Sequence, residues 1–169
     1  MSASELVAFL SDPVGPGLTS RLEWSETLLR RVAQAFPDDA RRWQVSAARV
    51  AAEVAHPAFR VDRPGDDRPM RAVDAVRKWT DCPCPKHLEA VGMALLEAAD
   101  AMDGFGLLER FKPSARRARK AAKAATLAAS AAVAESKERT KGQASYAVLL
   151  AVEVAGEGQV REALRGLFL

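Results

Sequence analysis

Between Ala115 and Ala134, 11 of 20 residues are alanine. Alanine has the highest helix propensity and no side-chain atom beyond Cβ. The run therefore predicts one long helix whose neighbours can approach it closely. At about 100° per residue, Ala118, Ala122, Ala125, Ala129 and Ala132 share a stripe roughly 80° wide. Arg116, Arg119, Lys120, Lys123 and Lys137 fall on the other side, with Leu127 among them. The expectation is a central helix packed through small residues, capped by Ser114, ending near Glu138 and carrying a basic outer edge.

The rest of the chain reads as helix too. No stretch alternates β-branched residues, and Ala, Leu, Arg and Glu dominate. Ser2 with Glu5 forms a capping box for a short helix through Leu10. A breaker cluster, Ser11 to Gly17, follows. Ser20 with Glu23 opens a second helix bearing Leu22, Leu28, Leu29, Val32 and Phe36. Pro37 stops it, and Asp38 or Asp39 caps a third helix with Trp43, Ala47, Val50 and Val54 on one face, ending near His56-Pro57. Residues 58–68 read as a long loop. A fourth helix starts near Asp67 to Pro69 and runs to Trp79. Pro83 and Pro85 break the chain before a fifth, about Lys86 to Met102, with Leu88, Val91, Leu95 and Met102 facing inward. A short piece, Leu107 to Phe111, precedes the alanine helix. Lys141-Gly142-Gln143 separates that helix from one over Ala144 to Val154, and a last helix leads into Leu167-Phe168-Leu169, a tail expected to pack intramolecularly. The fold class is all-α: one irregular bundle of about seven or eight helices around the Ala-rich helix. The domain is single, 1–169, with residues 1–19 as an N-terminal helix and Pro/Gly-rich linker and 20–169 as the main bundle. Trp24, Trp43 and Trp79 fall on apolar faces and read as core anchors.

Composition narrows the function classes. The chain has 169 residues, 28% of them charged, and a net charge of only +3. It contains 34 Ala, no Ile and no Asn, and Arg outnumbers Lys 18 to 7, which points to a GC-rich, bacterial origin. The first ten residues lack a basic segment ahead of an apolar core, and no run of 18 apolar residues exists, so secretion and membrane insertion are not expected. Two cysteines separated only by Pro83 do not make a secreted disulfide scaffold. The expected compartment is the cytoplasm.

No P-loop, paired-glycine dinucleotide turn, H-E-x-x-H or G-x-S-x-G is present. No catalytic residue is assigned, and no enzyme activity, cofactor or small-molecule substrate is expected. Two constellations remain as alternatives. Cys82, Cys84 and His87 resemble half of a metal site, against the plainer reading of two buried thiols in a proline-stiffened connector. From Arg110 to Lys123 there are seven basic residues and no acid. Arg116, Arg117, Arg119, Lys120 and Lys123 could track phosphates of a nucleic acid, against the plainer reading of a solvated face, 116–123 offering no aromatic for stacking. These cations also sit at a helix start, where the macrodipole opposes them. An anionic partner nearby is therefore expected, and residues 61–109, with 10 acids to 6 bases, could supply one.

One stretch carries a resemblance. Asp66-Asp67-Arg68-Pro69, then Ala72, Val73, Ala75 and Val76, then Trp79, resembles the D-x-R-P…W signature of an immunity protein family encoded beside bacterial polymorphic toxins. The likeness covers roughly residues 38–155 and is sharpest from Arg68 to Trp79. The family's Ala-rich helix carries histidines that 116–133 lacks, so no role for them carries over. The resemblance implies an all-α protein that neutralises a cognate toxin by direct binding, without catalysis. Arg68, Pro69 and Trp79 would be structural. Asp62, Asp66, Asp67, Asp74 and Asp81 would meet a cationic toxin cleft, and the 116–123 edge would replace them for an acidic toxin.

Overall fold

The alanine run folds as a helix buried on several sides. A computed structural model describes residues 2–11, 21–106 and 112–169. Its eight described helices are α1 (Ala3–Ser11), α2 (Arg21–Ala35), α3 (Ala40–Asp62), α4 (Arg68–Asp81), α5 (Pro85–Asp103), α6 (Pro113–Val133), α7 (Lys137–Ala155) and α8 (Glu157–Phe168), and no strand occurs among the described residues. The bundle is all-α as expected. The linker from Asp12 onward, the Ser20 cap and the piece Leu107–Phe111 lie outside the described residues.

All ten buried residues of α6 are alanines, including the five of the expected stripe and also Ala115, Ala121, Ala124, Ala128 and Ala131. The stripe is thus only one of its packed faces: α3, α4, α5 and α7 all lie against α6, with α3 and α7 packing most extensively. With no side chain past Cβ, interhelical distance rather than side-chain interdigitation fills the space. Large side chains sit further out. Trp24, Phe59, Leu28, Leu29 and Val73 are among the fully buried ones. Trp79 is buried, whereas Trp43 is half-buried, stacked 4.4 Å from Phe36 and 5.7 Å from Phe168. Phe168 therefore packs inward while Leu169 stays 88% exposed. Leu6 and Leu10 bring α1 into the same core.

Helix ends differ from the sequence expectation in four places, each with a physical cause. First, α3 does not stop at His56-Pro57. It runs through Pro57 to Asp62 and leaves a loop of only 63–67. An internal proline costs about 3 kcal/mol, but Phe59, fully buried against His56 and Phe105 at 6.0 and 6.2 Å between ring centres, holds the last turn in place. Second, Lys112 rather than Ser114 precedes the first turn of α6, because Pro113 takes the first helical position. Third, α6 ends at Val133, where Ala134 turns extended, and Ser136 starts α7 by accepting the Arg139 amide hydrogen at 3.2 Å. Lys137 thus belongs to α7, not to the basic side of α6. Fourth, Lys141-Gly142-Gln143 lies inside α7, since burial of Thr140, Ala144 and Ser145 outweighs the cost of about 1 kcal/mol for a helical glycine. The true stop is Gly156, at φ +95°. Of the apolar residues on α2, Leu28, Leu29 and Val32 are buried, while Leu22 is 39% exposed.

Arginines on one helix satisfy carbonyls at the C-terminal end of another. Arg41 at the head of α3 donates to Ala132 O of α6, Arg42 to Thr80 O of α4, and Arg117 at the head of α6 to Val154 O of α7 at 2.7 Å. Helix C-termini carry orphan carbonyls and the negative end of the dipole, so a guanidinium there satisfies both. These links bring the head of α3 to the ends of α4 and α6, and the head of α6 to the end of α7.

Candidate functional site

The segment that carries the family resemblance is locked by its own residues. Asp66 accepts from the Arg68 amide at 3.1 Å and from Arg68 Nε and Nη2 at 2.9 and 2.7 Å. The carboxylate is held below its ordinary range, chiefly by that side-chain fork. Pro69 stands in the first turn of α4 and is buried. Val73, Val76 and Trp79 follow on the same buried face, and Arg41 covers the Trp79 ring at 5.5 Å.

The acids expected to meet a partner are largely engaged. Asp67 pairs with Arg71 at 2.9 Å and Asp74 with Arg77 at 3.7 Å. Arg71 also reaches Glu97 at 2.8 Å, and Arg77 reaches Glu53 at 2.6 Å. With Asp66 closed on Arg68, only Asp62 and Asp81 of the five stand without an ion pair among the described residues. The outer side of α5 offers more. Glu89, Met93, Leu96, Asp100 and Asp103 recur at +4, +3, +4 and +3, a single exposed stripe. Met93 is 61% and Leu96 63% exposed. No ion pair among the described residues engages Glu89, Asp100 or Asp103. Sequence reasoning followed the acids and overlooked these two apolar residues; the signal available was an apolar pair off the inward-facing set of Leu88, Val91, Leu95 and Met102.

The basic edge is partly compensated from within by α7. Lys120 pairs with Glu153 at 2.7 Å, and Arg117 binds the Val154 carbonyl. Between α6 and α7 lies a groove of about 470 Å³ lined by Arg116, Arg119, Lys120, Lys123, Tyr146 and Glu153 among others. Tyr146 lies 5.5 Å from Lys123 Nζ and is 43% exposed. An aromatic does stand beside these cations, supplied by α7 and invisible in the 116–123 sequence.

The connector between α4 and α5 gathers Cys82, Cys84 and His87. Their ligand atoms all lie within 4.8 Å of one another. Cys82 is exposed and Cys84 half-buried, so the thiols are not the buried pair expected. The Cys82 carbonyl accepts from the Cys84 amide at 2.8 Å and lies 2.9 Å from His87 Nδ1. Backbone hydrogen bonding at the head of α5, from His87 first, draws the Cys84 thiol below its ordinary value, and hydrogen bonding with Cys84 pushes Cys82 up.

No protein-family model, curated protein or solved structure matches the chain. Among the described residues, no helix is long and apolar enough to cross a membrane.

Proposed function

We propose that this chain is an immunity protein that neutralises a bacterial toxin by binding it, with the outer stripe of α5 as the contact. Met93 and Leu96 carry the reading. Two large apolar side chains, more than half exposed on a helix and flanked by Glu89, Asp100 and Asp103, have the make-up of a protein-binding patch: central anchors with a charged rim. Anchors supply most of the binding energy, and rim charge sets the on-rate and the choice of partner. The rim is acidic, so the fitting partner is a toxin with a cationic cleft, such as a nuclease. The ion pairs of Arg71 and Arg77 tie α4 to α5 and to α3, and a rigid face loses little entropy on binding. The likeness of Asp66 to Trp79 to the immunity family supports the same class. The test is co-expression with the product of the adjacent gene. Protection and a co-purifying heterodimer are the expected results; loss of both with intact folding of the two chains removes the proposal.

A second reading has its own observation. Tyr146 beside Lys123, with Arg116 and Arg119 in the same groove, supplies an aromatic and cations for a single-stranded nucleic acid. That reading requires affinity that falls steeply with salt and is lost in Tyr146→Ala.

A further inference from the structure

The α4–α5 connector brings two thiols and an imidazole together. Pro83 and Pro85 fix φ on either side of Cys84. The Cys82 carbonyl receives both the Cys84 amide and the His87 ring, which ties the connector to the first turn of α5 and brings all three ligand side chains together. Donating Nδ1–H to a carbonyl also sets the imidazole tautomer and leaves Nε2 with its lone pair, the second-shell arrangement typical of metal-ligating histidines. Two sulfurs and a ring nitrogen lie within 4.8 Å of one another; a tetrahedral set with bonds of about 2.0–2.3 Å needs them about 3.3–3.8 Å apart, a contraction of about 1 Å that rotation of the exposed Cys82 side chain can supply.

We propose that Cys82, Cys84 and His87 bind a single zinc ion, with the fourth coordination position left to water or an exogenous ligand. Two thiolates and an imidazole suit zinc, whose filled d shell imposes no geometry beyond a roughly tetrahedral set. The ion's charge is balanced by the two thiolates, which lose their protons to solvent on binding. An exchangeable position is consistent with the surroundings. Cys82 is exposed, and His87 borders a groove of about 280 Å³ between α4 and α5, lined also by Arg71, Asp74 and Lys78. No nearby third cysteine closes the coordination, as Cys82 and Cys84 are the chain's two. The site stands apart from the Met93–Leu96 stripe and does not depend on its role.

The experiment uses the full chain, reduced and stripped of metal, with zinc alone or cobalt alone as the probe. Zinc titration against a chromophoric chelator is expected to give one ion per chain, and Cys82→Ser, Cys84→Ser and His87→Gln each weaken binding by at least about tenfold. Cobalt is expected to give thiolate charge-transfer absorption that Cys84→Ser abolishes. If a serine variant fails to fold by circular dichroism, the wild-type protein supplies the check: bound zinc slows alkylation of both thiols, read by mass spectrometry. Zinc uptake unchanged in the variants, alkylation unaffected by zinc, or two chains per ion would each overturn the proposal.

Discussion

Arg68 closes on Asp66, two residues before it, with Nε and Nη2 at 2.9 and 2.7 Å from the two carboxylate oxygens. The same carboxylate takes the Arg68 amide. One short sequence, Asp-x-Arg-Pro, thus builds the turn, satisfies an early amide of α4 and sets the helix start. Arg68→Ala is expected to lower stability by about 1 kcal/mol, a modest figure because the pair is partly solvated. Urea denaturation of both proteins measures it.

The pair also predicts a pH dependence. Asp66 has a folded pKa below its ordinary 3.8. Its contribution is therefore fully present above that ordinary value and is lost as pH falls through the lower folded one. Asp66→Asn should be less stable than wild type at neutral pH, and the two should converge in strong acid. Thermal melts across acid pH test this.

His56 works in the opposite sense. Burial first, then the Arg60 charge, lowers its pKa from 6.5. The folded state resists protonation that the unfolded chain accepts, so stability falls as pH drops below about 6.5 and levels off below the folded pKa. His56→Gln should flatten the stability profile below about pH 6.5.

Gly156 ends α7 at φ +95° and ψ 150°, a region that side chains rarely enter. A Cβ placed there meets nothing within 4 Å, so any penalty is backbone strain alone. Gly156→Ala should cost about 1–3 kcal/mol, while Gly158→Ala, with equally open space and no positive φ, should be neutral or stabilising. Chemical denaturation separates the two.

The alanine interface is tested by enlarging it. Ala125 is 2% exposed in the stripe of α6. Ala125→Leu forces helices apart and is expected to cost about 1–3 kcal/mol. An unchanged melting temperature would mean that α6 packs more loosely than its neighbours allow.

The sequence made α6 legible as a helix and marked one of its packed faces through alanine spacing, whereas the burial of Ala115, Ala121, Ala124, Ala128 and Ala131 depends on neighbours on its other sides. The capping box was equally local: the Ser2 amide and Glu5 are 2.6 Å apart, as the S-x-x-E pattern requires. Pro57 and Gly142 misled because local propensity was overridden by tertiary burial of Phe59 and Ala144. The candidate sites were less legible for a related reason. Charge counts along the chain cannot show that Asp66 folds back on Arg68, that Glu153 answers Lys120, or that Tyr146 joins the cations of α6. Cys82, Cys84 and His87 lie close enough in sequence to be named together. Their convergence, however, depends on the shared Cys82 carbonyl, a backbone contact that residue types do not encode.

The most direct measurement is calorimetric titration of a catalytically disabled toxin from the adjacent gene into this protein and its Met93→Asp and Leu96→Asp variants, with Lys120→Glu as a control on the far groove. One-to-one binding weakened at least about thirtyfold by either α5 substitution, and unaffected by the control, is the result expected. Equal affinity for all four proteins, or no heat of binding to the wild type, would contradict the proposal that this chain acts by occupying a partner through α5.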